Sequence, residues 1–240
     1  MSDALDRARE RLIVALDVPT AADALDLAEG LAGHVGMLKI GLQLFVAEGP
    51  AIVRELRTRY PQTDVFLDLK LHDIPNTMAG AIQSASGLGA RLITVHAGSG
   101  IAHLAACVDE AGVGLGVLAV TVLTSQDERA CREAGHTRTP AELVKIRAAA
   151  AAEARCAGLV CSGEELEAVC AVAPSLLKVV PGIRPAGADV GDQKRVMTPA
   201  RAIAAGATHL VVGRPIRNAD DPAAAADAIV AEIAGALPPQ

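Results

Sequence analysis

The chain has 240 residues, 51% of them apolar, and 28 acidic against 22 basic side chains give a formal charge of −6. That length holds one large domain or two small ones, and the negative balance, with Phe45, Tyr60 and Phe66 as the only aromatics, excludes a broad nucleic-acid surface and a stacking platform for bases. No apolar run approaches a membrane span, and the charged start MSDALDRARERL lacks a secretory apolar core, so a soluble, cytoplasmic protein without membrane contact is expected.

Short apolar runs alternate with Ala-rich helical segments along the chain. LIVALDV (residues 12–18) reads as the first strand, with AADALDLAEGLAG as the helix after it. MLKIGL (37–42) is the second strand, followed by the helix AIVRELRTR. VFLDLK (65–70) is the third, followed by a helix beginning near Pro75. LITVHA (92–97) leads into GIAHLAACVDEA, and VLAVTVL (117–123) into a long helix over residues 140–155. AGLVCS (157–162) precedes EELEAVCAV, and LLKVVP (176–181) precedes a polar Gly-rich loop and TPARAIAAG. THLVVG (208–213) and PAAAADAIVAEIAGAL close the series. Eight strand–helix units predict an α/β fold, a TIM (β/α)8 barrel occupying residues 1–240 as a single domain. Continuous Val, Ile and Leu strands fit a parallel sheet covered by helices. A doubly wound open sheet is the rival, but it uses fewer units, and no GxGxxG follows the first strand.

The third strand raises a chemical question. FLDLKLHDIPNT carries Asp68, Lys70 and Asp73 within six positions. Side chains alternate along a strand, so Asp68 and Lys70 face one way and Leu67, Leu69 and Leu71 the other. Barrel chemistry sits at the C-terminal strand ends. The first strand brings Asp17 there and the second Lys39, so three carboxylates and two ammoniums are expected around one mouth. A single buried pair such as Asp68 and Lys70 has a structural reading too, as a device that fixes register. Buried pairs stabilise no better than apolar packing, however, and five charges on three adjacent strands mark a functional site.

The opposite side of the mouth has another character. PGIRPAGADVGDQKR (181–195) follows the seventh strand, and VVGRPI ends the eighth with Gly213 and Arg214. Barrels hold phosphate at these two loops, where glycines admit close backbone approach and an arginine adds a planar charged donor. Solvated loop charges are the alternative for these residues taken alone. No metal site is expected. The five cysteines form no CxxC pair, the six histidines show no HxH or HExxH spacing, and Lys39 stands where a metal ligand would.

In chain order, ALDV, KIG, DLKLHDIPNT, VLTS, PGIR, GDQ and VVGR resemble the orotidine 5′-phosphate decarboxylase family in its common bacterial form, from residue 12 to about residue 222. The resemblance implies conversion of orotidine 5′-monophosphate to uridine 5′-monophosphate and CO2, the last step of de novo pyrimidine nucleotide synthesis, with no cofactor or metal. It makes Lys70 the proton donor and places Asp68 near the substrate carboxylate, with Lys39 and Asp17 completing the charge network toward the ribose. Thr124 meets the pyrimidine, while Arg184, Gln193, Gly213 and Arg214 take the nucleotide and phosphate positions. Asp73 and Thr77 are expected to reach into the neighbouring subunit's site of a homodimer. The Gly-rich segment after Pro181 is the expected closing loop. The DxKxxD core alone is shared with Mg2+-dependent barrel enzymes acting on sugar phosphates, such as 3-keto-gulonate-phosphate decarboxylase and hexulose-phosphate synthase. Lys39 and the DIPNT extension favour the nucleotide enzyme. A catalytically silent nucleotide-binding barrel is a third reading, which tight binding without turnover would support.

Overall fold

The apolar runs form eight short parallel strands that close on themselves. The computed structural model describes residues 2–185 and 197–238. Its strands are β1 (Leu12–Ala15), β2 (Met37–Gly41), β3 (Asp64–Leu71), β4 (Leu92–His96), β5 (Gly116–Val120), β6 (Gly158–Val160), β7 (Leu177–Val180) and β8 (His209–Val212). Each pairs in parallel with the next, and β8 pairs with β1, which removes the open-sheet alternative. Closure leaves no edge strand among them.

Two apolar layers hold the barrel. Inside, Ile13, Met37, Phe66, Leu92, Leu118 and Val179 form a plug, with Val160 and Val211 packed against it. Outside, the alternate strand residues pack against the helices, as Val14, Leu38, Leu67, Ile93 and Leu210 do. The helix Pro75–Ser86 buries Met78, Ile82 and Ala85 in this layer, one face at helical spacing. Full burial of a Leu- or Met-sized side chain stabilises by roughly 1.5–3 kcal/mol. Buried Cys107, Cys131, Cys156 and Cys161 also fill this layer as free thiols. Burial pushes the Cys156 thiol up to about 12, so it is inert at neutral pH.

Seven of the eight strands are shorter than the apolar runs that encode them, and β3 alone extends past its run at both ends. β1 stops at Ala15 and β5 at Val120, so Asp17 and Thr124 stand on the loops beyond. Helix starts follow local chemistry. Thr139 and Glu142 form a capping box before Pro140–Glu153, and Asp221 caps Pro222–Ala236. Three short helices escape the sequence reading: Leu42–Glu48, Glu128–Glu133 and Arg214–Arg217. Each has seven residues or fewer, too few for a 3.6-residue period to stand out. The first follows β2 without a loop and sets Leu42 and Gln43 at the barrel mouth.

Candidate active site

Going up each strand from the interior plug, alternation puts the next inward side chain in the layer above it: Ala15 above Ile13, Lys39 above Met37, Asp68 above Phe66, Thr94 above Leu92. Three of these four are polar. Lys39 Nζ lies 3.1 Å from Asp17 Oδ1 and 3.6 Å from Asp68 Oδ2. Lys70 Nζ lies 2.8 Å from the same Asp68 Oδ2. Four charges thus run Asp17, Lys39, Asp68, Lys70 in alternating sign. The Lys39 side chain is 8% exposed and that of Asp68 15%, so both central charges have lost most of their water. Desolvation of that kind costs several kcal/mol per ion and is not recovered as stability. Stability alone is therefore a poor account of the array.

Burial by itself would raise the Asp68 carboxyl. Lys39 and then Lys70, joined by hydrogen bonds from Lys70 and Thr94, outweigh it and hold the carboxyl below the usual range. Asp68 is consequently a carboxylate at neutral pH. His96 is pushed down to about 4, first by burial and then by Arg147, His72 and Lys70. It stays neutral and adds no like charge beside Lys70. His72 stacks on it, ring centroids 5.0 Å apart, and meets Ser99 Oγ at 2.6 Å.

Lys70 reaches this position through an irregular backbone. Its φ is 50°, left-handed for a residue with a Cβ. Leu67 pairs with Ile93 and Leu71 with Val95, so β3 spends three residues, Asp68 to Lys70, opposite Thr94 alone. The partition of faces expected from alternation survives, with Leu67, Leu69 and Leu71 on the helix side. The regular strand does not; a bulge carries the lysine.

The array lines a cavity of about 620 Å³ at the C-terminal end of the barrel. Thr124, Arg184, Gly213 and Arg214 line the same cavity from the loops after β5, β7 and β8. Arg184 is buried, its backbone N–H donating to Met197 O at 3.0 Å. Arg217, one turn beyond Arg214, also lines the cavity and donates from Nη1 to the backbone carbonyl of Asp17. It ties the loop after β1 to the one after β8. A larger hollow, about 920 Å³, opens at the other end of the barrel between Arg91, Arg155 and His209. It lacks any alternating buried charge array among the described residues.

Two expected site residues stand apart. Asp73 is exposed, and its Oδ1 accepts from the N–H of Ile74 at 2.6 Å, capping the turn before Pro75. Four charges rather than five therefore meet within the chain, because the turn after β3 aims Asp73 outward. Thr77 is exposed on the first turn of Pro75–Ser86. Gln193, and most of the Gly-rich segment read as a closing loop, lie outside the described residues. Thr94 and Arg217 were not anticipated. Period-two counting from Leu92 would have put Thr94 on the inner face, and i, i+3 spacing in GRPIR would have put Arg217 beside Arg214.

A family model described as "Orotidine 5'-phosphate decarboxylase / HUMPS family" matches residues 10–229. An orotidine 5′-phosphate decarboxylase of Anaeromyxobacter sp. (strain K) is 55% identical over 224 residues, covering 92% of this chain and 97% of its own. One from Afipia carboxidovorans is 54% identical over 229 residues, covering 94% and 95%. The crystal structure of the Lactobacillus acidophilus orotidine 5′-phosphate decarboxylase superposes with a TM-score of 0.83 at 34% identity, over 92% of this chain and 98% of that one.

Proposed function

The chain is an enzyme of the orotidine 5′-phosphate decarboxylase / HUMPS family, and from that premise we propose that it converts orotidine 5′-monophosphate to uridine 5′-monophosphate and CO2, the last step of de novo pyrimidine nucleotide synthesis in the cytoplasm. The observation that carries this reading is the Asp17–Lys39–Asp68–Lys70 array in a cavity whose other rim bears Arg184 and Arg214.

Loss of CO2 from C6 of the pyrimidine leaves an electron pair in an sp2 orbital outside the ring's π system. Resonance does not absorb it, so stabilisation must be electrostatic, from groups already oriented. The Lys70 ammonium supplies a positive charge beside C6 and then the proton that completes the product. Asp68, bonded to Lys70, holds it in place, and as a neighbour of the substrate carboxylate it loses a like charge when CO2 departs. Lys39 and Asp17 orient the ribose, and Thr124 meets the base. Arg184, Gln193, Gly213 and Arg214 hold the nucleotide and its phosphate. The phosphate is not consumed, so its binding energy serves to order the site. Enzymes lower barriers by about 8–23 kcal/mol. No single hydrogen bond supplies the upper end of that range; a remote anion grip combined with a preoriented charge array does.

No metal or organic cofactor enters this chemistry. The Lys39 ammonium lies between Asp17 and Asp68, the two carboxylates a divalent cation would need, and repels a second cation there. An absorbance assay with orotidine 5′-monophosphate tests the reading, with and without EDTA. Turnover unaffected by chelator is expected. No turnover, or turnover lost to EDTA and restored by Mg2+, would overturn it in favour of a silent or a metal-dependent barrel.

Gly41 gives a second test. A Cβ there would stand 2.8 Å from Asp17 Oδ1 and 3.1 Å from Lys39 Nζ. Both atoms end flexible side chains, so Gly41→Ala should open the pair and spare the fold. We expect a melting temperature within a few degrees of wild type and kcat/KM lowered about tenfold or more. Unchanged kcat/KM would show that the Asp17–Lys39 contact is dispensable.

The functional unit we propose is a homodimer with shared sites. Leu42 and Val46, 52% and 80% exposed, follow β2; Ile74, 64% exposed, follows β3; Ile101, 40% exposed, follows β4. Apolar side chains exposed on three consecutive connections form a surface suited to a second copy of the chain. Asp73 and Thr77 lie on the middle connection, where pairing would carry them toward the partner's cavity.

A further inference from the structure

Thr94 is fully buried at the centre of β4 and does not line the cavity. Its hydroxyl makes two contacts, both to the charge array. Oγ1 accepts from the backbone N–H of Lys70 at 2.9 Å and donates to Asp68 Oδ1 at 3.0 Å. It stands opposite the three bulged residues of β3, where Lys70 holds its left-handed φ of 50°. Backbone in that region costs about 1–3 kcal/mol and persists only where its surroundings impose it. A hydroxyl has a single proton. Because Thr94 gives it to Oδ1, the Oδ2 atom of Asp68 is the one that meets Lys70 at 2.8 Å and Lys39 at 3.6 Å.

We propose that Thr94 is a positioning residue for the decarboxylation: its hydroxyl fastens the bulged backbone of Lys70 to the carboxylate of Asp68, so that Lys70 Nζ keeps one place against C6. This rests on the function proposed above. Thr94 touches no substrate; it acts through Lys70 and Asp68. Removing the hydroxyl frees the Lys70 N–H and one Asp68 oxygen together, and the lysine loses its fixed aim. An error of about 1 Å in such a group costs on the order of 100-fold in rate.

The test compares kcat, KM and uridine 5′-monophosphate affinity for wild type, Thr94→Val and Thr94→Ser. Thr94→Val keeps the shape without the hydroxyl. It should lower kcat roughly 100-fold while KM and nucleotide affinity stay within about threefold, and Thr94→Ser should restore kcat to within about fivefold of wild type. Thr94→Ala removes the same hydroxyl and serves if the valine protein does not fold. Loss of kcat below about threefold, or a serine variant as slow as the valine variant, overturns the proposal. Crystal structures of the variants read the same point without turnover. The Lys70–Asp68 contact should open or the Lys70 φ leave the left-handed region in Thr94→Val or Thr94→Ala, and an unchanged bulge and contact overturns the proposal. A wild-type protein inactive on orotidine 5′-monophosphate defeats the functional reading instead, and the structural comparison still decides the role of Thr94.

Discussion

Equal amounts of Asp73→Ala and Lys70→Ala protein, each inactive alone, should recover about a quarter of wild-type activity once their subunits exchange. Asp73 is exposed, capping the turn before Pro75, and does not reach the Lys70 array of its own chain. If its role is played across a two-fold interface, each site combines one chain's Asp17, Lys39, Asp68 and Lys70 with the partner's Asp73. A mixed dimer then has one site carrying both substitutions and one carrying neither. Random exchange makes half of the dimers mixed, which gives the expected quarter. Leu42, Val46, Ile74 and Ile101, exposed on this connection and the two flanking it, would supply the driving force for such pairing. Persistent inactivity after subunit exchange has been demonstrated by mass would place Asp73 outside the shared site.

Much of this architecture was legible in the sequence because its signals are local and periodic. Runs such as LITVHA and THLVVG, each followed by an Ala-rich helix, specify a parallel barrel by repetition. Asp17, Lys39 and Asp68 could be brought together from three strands by period-two counting alone. Two kinds of information were less accessible. The short helix Leu42–Glu48 is apolar without a clear face, and it follows β2 directly, with Gly41 serving as both last strand residue and N-cap. The bulge at Lys70 is a non-local feature, formed against β4, where Thr94, 24 residues later, takes the Lys70 N–H. Nothing within DLKLHD announces it. Counting five charges into one mouth failed at Asp73 for a related reason: the turn after β3 redirects the chain before that side chain is reached.

Lys70 carries the central claim, and its replacement has the largest expected effect. On the proposed mechanism, Lys70→Ala removes both the charge beside C6 and the proton donor. General acids contribute about 10²–10⁴ in rate and a preoriented electrostatic donor about 10²–10³. Together they predict a fall of at least about 10⁴-fold in kcat. Alanine is the appropriate replacement, because it keeps a Cβ at a position whose φ is 50° and so leaves the backbone under the same constraint, whereas glycine would release it. Binding of the nucleotide should survive, since Arg184 and Arg214 line the far side of the cavity. The decisive measurement is single-turnover decarboxylation by Lys70→Ala protein whose uridine 5′-monophosphate affinity is within about tenfold of wild type. The predicted result is a rate lower by at least about 10⁴-fold. A rate within about tenfold of wild type would contradict the role given to this lysine.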